Sequence, residues 1–451
     1  MKWLLSEIAQ AVNGELIGAD ALAEGVSTDS RKIGQGQLFV ALKGERFDAH
    51  EFLDGALNAE AAGVLISQRE AVPAGLSAVL VADTRLALGQ LAAAWRAKFD
   101  LTLIGVTGSN GKTTTKEMIA SILRAAFGDA VLATQGNFNN DIGLPLTLLG
   151  LNSTHQAAVI EMGMNHPGEI DYLTQIARPT AAVVTNAQRA HLEGMGGLNE
   201  VAREKGSIFN GLQDDGVAAI ALDSPFAALW QDIARQHQSL TFGTSLEATV
   251  RGELVQHGLE TRLTLRYQQN AAEIALQLPG KHNANNAIAA AAACLAAGID
   301  FAAVATGLSQ FAGVKGRLQK RAMSNGALVL DDTYNANPDS VRAGIDVLAS
   351  TVGRKILVLG DMGEIGDASA QYHDEVGGYA KSQGVDRLFS LGNSSEVASR
   401  SFGDGAKHFK DAVALVAAVK KQIDINTTVL VKGSRFMKME RISDALVAEE
   451  S

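Results

Sequence analysis

The most pointed chemistry in this chain of 451 residues lies in Thr107-Gly108-Ser109-Asn110-Gly111-Lys112-Thr113. An apolar run, Leu101 to Val106, reads as the buried strand leading in, and helical spacing from Lys112 to Ala126 leads out. Glycines in such a turn let backbone N–H groups close around phosphates, and the helix N-terminus adds a favourable field. Lys112 can reach the terminal phosphates, and the Thr113 hydroxyl can ligate Mg²⁺. Val106 stands where the general phosphate-loop pattern has its first glycine, so this loop is a shortened Gly-x-x-Gly-Lys-Thr form.

Other residues add to this signal by position. Glu161 closes the apolar run Ala157 to Ile160, and an acid at a strand end points at the crevice where α/β sheets bind ligands. It could hold Mg²⁺, which takes hard oxygen ligands. His191 and Glu193 follow a second strand, Ala181 to Val184. Lys205 reads by default as a solvated helix lysine. Asn283 and Asn286, at the start of an alanine-rich helix, suit N-capping and a purine edge equally well. Asp331-Asp332-Thr333-Tyr334-Asn335-Ala336-Asn337-Pro338 holds more acids and amides than a turn needs. Lys432-Gly433-Ser434-Arg435 could bind a carboxylate or phosphate. Ser27 to Arg31 offers hydroxyls and a guanidinium within a short run.

Positioning these residues calls for alternating strands and helices, and most of the sequence supplies them. A period-two pattern between Ser239 and Leu278 predicts an antiparallel excursion, Glu200 to Leu212 an amphipathic helix, and Asn283 to Ala297 another helix. A second α/β series follows Gly316, with strands expected at 327–330, 356–359, 387–391 and 428–431. The expected domains are 1–98, 99–314 and 315–451. Composition is that of a globular chain, 47% hydrophobic and 20% charged, and a net charge of −10 argues against a nucleic-acid surface. No apolar stretch of membrane-spanning length appears, so no membrane insertion is expected. The beginning lacks a signal-peptide pattern, and the one cysteine, Cys294, excludes an internal disulfide. We expect a cytoplasmic protein.

Taken in order, these segments resemble the Mur ligases, the ATP-dependent amide-forming enzymes of peptidoglycan precursor synthesis. The resemblance spans essentially the whole chain. It rests on Thr107–Thr113, Gly136 to Pro145, Glu161 to Ile170, Ala190 to Glu193, His282 to Asn286, Asp331 to Pro338, Gly360 to Glu364 and Lys432 to Arg435. It implies three α/β domains: a small N-terminal UDP-binding domain, a central P-loop ATPase domain with a parallel sheet, and a C-terminal Rossmann-like domain that closes over them. The runs 165–169 and 334–338 point to the branch that adds a dipeptide. That branch joins D-alanyl-D-alanine to UDP-N-acetylmuramoyl-tripeptide, giving UDP-N-acetylmuramoyl-pentapeptide, ADP and phosphate.

By the same resemblance, Thr113, Glu161 and His191 lie at Mg²⁺ positions, and Lys205 matches a lysine that becomes carbamylated. Lys112, Lys205, Glu161 and His191 are then the catalytic set. Asn283 and Asn286 would meet adenine, while Arg317 and Asp332 would reach the phosphates and ribose. Asp29, Ser30, Arg31, Lys43, Gly44, Asp48 and His50 would form the uridine-diphosphate end, and Tyr334, Asn335 and Asn337 a closing loop at the acceptor. A monomer is expected. Three places depart from the family pattern: Ala49 for glycine, Ser207 for glutamate, and Gln188-Arg189 before Ala190-His191.

The implied chemistry is activation of a carboxylate. Oxide is a poor leaving group, so ATP would convert the carboxylate to an acyl phosphate, which the dipeptide amine attacks. Two other classes remain: a nucleotide switch without ligase activity, and a kinase with a stable phosphorylated product. Neither gives Tyr334 to Pro338 an evident role. An Asp-Asn-Pro-Arg run, expected of a diaminopimelate-adding ligase, is absent from the last third.

Overall fold

The computed structural model describes residues 1–190 and 192–448, with the backbone alone for 192 and 193. Three α/β domains follow one another along the chain. The central one carries a nine-stranded sheet whose middle is built of short, almost wholly buried, mainly apolar strands. Thr102–Thr107 lies between Ala157–Glu161 and Ala181–Val184, all parallel. Buried on both faces, such strands read as continuous apolar runs rather than alternating ones. After Thr102–Thr107 the chain passes to Val131–Ala133 at the sheet edge and returns through Ala157–Glu161. The strand order thus reverses beside Thr102–Thr107, and a crevice opens at the carboxyl ends there.

The period-two stretch is antiparallel only in part. Val250–His257, Glu260–Tyr267 and Asn270–Leu276 pair antiparallel, whereas Gln238–Gly243 joins Val217–Ala221 in parallel. Its alternation comes from lying toward the half-covered side of the sheet, which does not set strand direction. The helix expected over 200–212 is Leu198–Gly206, continued as a tighter turn, Ser207–Gly211.

The helix after the phosphate loop, Lys112–Phe127, packs under the sheet with the alanine-rich Lys281–Ala296. Alanines allow that second helix to lie close against the strands, and Ala284 and Ala287 to Ala293 are buried. On the opposite face the first domain's last helix, Thr84–Arg96, shares a core with the central domain through Leu88, Leu91, Trp95, Ile170 and Ile176. Trp95 Nε1 donates to the Leu151 carbonyl at 3.0 Å, and Arg96 Nε to that of Ala177 at 3.0 Å.

The C-terminal sheet has six strands, parallel except for the edge strand Gln319–Ala322. Leu328–Asp332, Thr427–Lys432 and Arg354–Gly360 are neighbours, so their carboxyl-end loops gather on one rim. The N-terminal sheet is smaller, with Leu38–Val40 and Gly63–Ile66 at its centre. Among the described residues no helix is long and apolar enough to cross a membrane.

Trp230 anchors the helix that carries Lys205. Its indole is fully buried, and Nε1 donates to the Ala202 carbonyl at 2.9 Å. Trp230→Ala is expected to lower unfolding free energy by about 3–5 kcal/mol. Chemical denaturation checks this.

Candidate active site

The phosphate loop bends where only glycine fits. Gly111 has φ +79°, and a Cβ there would lie 2.2 Å from Asn286 Oδ1. A Cβ on Gly108 would meet Thr185 Oγ1 at 1.8 Å. The loop is therefore gripped from both sides by neighbouring elements, with no room for a side chain.

The grip on one side comes from the residues after the Ala181–Val184 strand. Ser109 N–H donates to the Asn186 carbonyl at 2.9 Å, and Asn110 N–H to Asn186 Oδ1 at 2.9 Å. Thr185 Oγ1 and Asn186 Nδ2 donate to the Asn110 carbonyl at 2.7 and 2.9 Å. Gln188 N–H donates to Ser109 Oγ at 2.9 Å, and Asn110 Nδ2 donates to Gln188 Oε1 at 2.6 Å. Asn186 stands out in the sequence by neither motif nor resemblance, and Gln188 only as part of an unusual dipeptide before Ala190-His191. Their signal was available, since they are strand-end amides like those weighed elsewhere.

A cavity of about 580 Å³ opens above this loop. It gathers Ser109 to Thr113, Glu161, Asn283 and Asn286 with Arg317, Asp332 and Tyr334 to Asn337 from the third domain. Residues more than 200 positions apart thus share one space. Lys112 Nζ donates to the Gly108 carbonyl at 2.8 Å, curled over its own loop. Its pKa is lowered, chiefly by burial and against the pull of Glu161.

Glu161 is buried at the strand end. Asn139 Nδ2 donates to its Oε1 at 2.9 Å, and its N–H donates to Thr134 Oγ1 at 2.9 Å. Its second oxygen, Oε2, is buried without a partner. A carboxylate oxygen desolvated in that way is costly unless a cation meets it. Thr113 Oγ1, also in the cavity, accepts from Arg317 Nη2 at 3.0 Å. Among the described residues no group of three or more His, Cys, Asp or Glu could hold a metal. The donor set at Glu161 and Thr113 suits Mg²⁺, which is bound by few protein oxygens plus phosphate. His191 lies outside the described residues.

Lys205 is not a solvated lysine. It is 0% exposed, and its Nζ has no hydrogen-bond partner. Burial, with the nearby charge of Lys112, holds its pKa well below the ordinary lysine range. It is not among the residues that line the cavity. Burial disfavours the protonated amine, and carbamylation, which needs the free base, would turn this group into an anionic oxygen ligand.

The amides of the alanine-rich helix do not cap it, for Gly280 is the N-cap. Asn283 Nδ2 donates to the Pro279 carbonyl at 2.8 Å, and Asn286 Nδ2 to Asn283 Oδ1 at 3.3 Å. Both are buried and face the cavity. Beside them His282 is held down to about 4 by burial, so its ring is neutral at pH 7.

On the third domain's rim, Lys432 Nζ donates to Asp332 Oδ2 at 2.5 Å and to the Asn335 carbonyl at 3.0 Å. Lys432, read as an anion binder, is therefore engaged in shaping the loop. Tyr334 lies between two guanidiniums, with Arg317 4.2 Å and Arg435 5.8 Å from its ring centre. Asn337 caps the helix Pro338–Ala349 through Oδ1 and donates from Nδ2 to Asn110 Oδ1 at 2.7 Å.

The seven residues expected at the UDP end lie on the first domain, and none lines the large cavity. Asp29 caps the turn Ser30–Lys32 and pairs with Arg31 (Nε to Oδ1, 2.8 Å), which holds its carboxyl down to about 2. His50 is occupied on both ring nitrogens: Nδ1 lies 2.5 Å from Asp48 Oδ1, and Nε2 accepts from Ser67 N–H at 3.0 Å. Lys43 lies 3.8 Å from Asp48, and Gly44 N–H donates to the Phe47 carbonyl at 2.9 Å.

A glycine-rich phosphate loop, a strand-end carboxylate, a buried and unpartnered lysine and a third domain closing over them define an ATP-dependent ligase of modular build. The chain belongs to the Mur ligase family. The family's middle domain matches residues 106–294, its glutamate ligase domain 316–435 and its catalytic domain 23–96. A UDP-N-acetylmuramoyl-tripeptide–D-alanyl-D-alanine ligase from Escherichia coli K12 is 42% identical, covering 98% of each chain. One of the same name from Bacillus subtilis 168 is 39% identical over 99% of each. A crystal structure of MurF from Acinetobacter baumannii superposes with a TM-score of 0.94, at 36% identity and 100% and 99% coverage. The ligase from Thermotoga maritima in complex with ADP superposes at 0.83, with 26% identity and 94% and 97% coverage.

Two outcomes are expected here. Gly111→Ala should lower ATP affinity at least about tenfold, measured by titration calorimetry, because the added methyl meets Asn286 and the backbone is strained. Without bicarbonate and Mg²⁺, Lys205→Met should be more stable than the parent chain at pH 7. The native lysine binds fewer protons than the unfolded one, so the parent gains stability as pH rises toward the ordinary lysine value, and the gap closes. Denaturation midpoints across pH measure this.

Proposed function

We propose that this chain joins D-alanyl-D-alanine to UDP-N-acetylmuramoyl-tripeptide, using ATP and forming an acyl phosphate. The observation that carries the reading is the single cavity in which the phosphate loop, Glu161 and the Asp332–Asn337 loop meet. The identity of the relatives over nearly their whole length supports the substrate pair.

In this reading the tripeptide carboxylate attacks the γ-phosphorus of ATP, ADP leaves, and the acyl phosphate forms. Lys112 and the loop N–H groups offset charge on the transferring phosphoryl group. The dipeptide's amine then attacks the acyl carbon, and phosphate leaves from the tetrahedral intermediate. Asn283 and Asn286 face the adenine, and Arg317 and Asp332 the phosphates and ribose. Tyr334, Asn335 and Asn337 close the acceptor side, where domain closure holds the reactants together. Asp29 to Arg31 and Lys43 to His50 form the UDP end, with His50 supporting the Asp48 carboxylate rather than reaching ligand itself.

Mg²⁺ would be held by Glu161, Thr113, His191 and carbamylated Lys205, and supplies charge stabilisation at the phosphates when bound. The orphaned Oε2 of Glu161 and the orphaned Nζ of Lys205 support that assignment. The reading keeps domain boundaries near residues 98 and 314. It takes the enzyme to act as a monomer, since one chain lines the whole cavity, and in the cytoplasm, where ATP is supplied.

The test is phosphate release from ATP with UDP-N-acetylmuramoyl-tripeptide, run with the dipeptide, with single amino acids, and with no acceptor. Release should need the dipeptide, and the product mass should carry both alanines. Acceptor-independent hydrolysis would sink the reading. Lys205→Ala should lose at least about 100-fold in turnover, with no response to added bicarbonate. Near-normal turnover by that variant would remove the carbamate.

A further inference from the structure

The central and third domains are tied together around the cavity by Arg317 on Thr113, by the Asn337–Asn110 amide pair, and by Arg189. Arg189 stands in the dipeptide that departs from the family pattern. We propose that Arg189 is a positioning residue that couples docking of the third domain to the geometry of the phosphate loop.

Its contacts form an unusually complete fork. Arg189 N–H, Nε and Nη2 donate to the Asp339 carboxylate at 2.9, 3.0 and 2.6 Å. Nη1 and Nη2 donate to the two oxygens of Glu375 at 2.8 and 3.0 Å. The two carboxylates sit on different helices of the third domain, Pro338–Ala349 and Ser369–Ser382. Only a planar guanidinium can serve both at once. Arg342 Nη1 also donates to Glu375 Oε1 at 2.7 Å, so two cations balance two anions. The side chains of Arg189, Asp339 and Glu375 are 26, 21 and 28% exposed, which limits solvent screening.

The coupling runs through adjacent residues on both sides. Gln188 is bonded to Ser109 and Asn110 of the phosphate loop, and Arg189 follows it directly. Across the interface, Asn337 is bonded to Asn110, and Asp339 follows two residues later. Each domain therefore contributes a residue that touches the phosphate loop, Gln188 or Asn337, and close to it in sequence a member of the ion cluster, Arg189 or Asp339. Opening the interface breaks the five Arg189 bonds together and frees Gln188 from its far-side support.

The test compares Arg189→Gln, Glu375→Gln and the double variant in the full chain. It measures KM for ATP, kcat and thermal midpoint, together with small-angle scattering with and without a non-hydrolysable ATP analogue. Each single variant should raise KM for ATP about tenfold, with melting near that of the parent. The double should be no worse than Arg189→Gln alone, and Arg189→Lys should recover only part of the loss. Raising salt from about 0.05 to about 0.5 M should raise KM in the parent chain and leave Arg189→Gln nearly flat. The parent should contract on binding the analogue more than the variant does. Additive effects in the double variant, or a KM, salt response and scattering contraction like the parent's in Arg189→Gln, would overturn the proposal. Should Arg189→Gln not fold, Asp339→Asn carries the same expectations. Absence of dipeptide-dependent turnover in the parent would remove the functional reading, while scattering would still decide the role of Arg189.

Discussion

A loop that wraps phosphate must present its N–H groups inward and can carry no side chain where it bends. Nearly everything around residues 107–113 answers to that constraint. Gly111 lies against Asn286 of one helix and Gly108 against Thr185 of a neighbouring strand end. Asn186 and Thr185 satisfy the backbone groups of Asn110 that the turn leaves open, and Gln188 holds the Ser109 and Asn110 side chains. The parallel strands of the central sheet are what bring those neighbours to the same rim.

The second organising feature is buried charge without a partner. Burying an ionised group without compensation costs several kcal/mol. The chain nonetheless buries one oxygen of Glu161 and the amine of Lys205 without a hydrogen-bond partner, and Lys205 responds with a lowered pKa. Other charges at the rim are paired, as in Lys432 with Asp332. The unpaired groups mark the place where ligands complete the electrostatics, and the paired ones hold the walls.

Much of the site was legible from type and spacing. Glycines before a Lys-Thr pair between strand and helix have few uses, and Glu161 drew notice as an acid ending an apolar run, a position equally suited to a helix cap or to solvent. Lys205 was not legible from the residues alone, because Arg203-Glu204-Lys205 reads as a solvated helix face; the family resemblance singled it out. Its helix is packed by a distant segment, with Trp230 and Ile233 against the neighbouring Gly206. The parallel direction of Gln238–Gly243 was hidden for a like reason, since alternation reports which face is covered and not which neighbour a strand pairs with.

What the sequence determined by itself was the local chemistry: a phosphate loop, its helix, the strand-end acid, and three α/β units in order. Those depend on neighbours a few residues apart, whose spacing sets periodicity and turn geometry. Tertiary structure alone decided that Arg317, Asn337 and Asp339 meet Thr113, Asn110 and Arg189, and that Lys205 is dry. Contacts between residues about 150 to 230 positions apart are set by how domains pack and which water they exclude, and no local pattern encodes that.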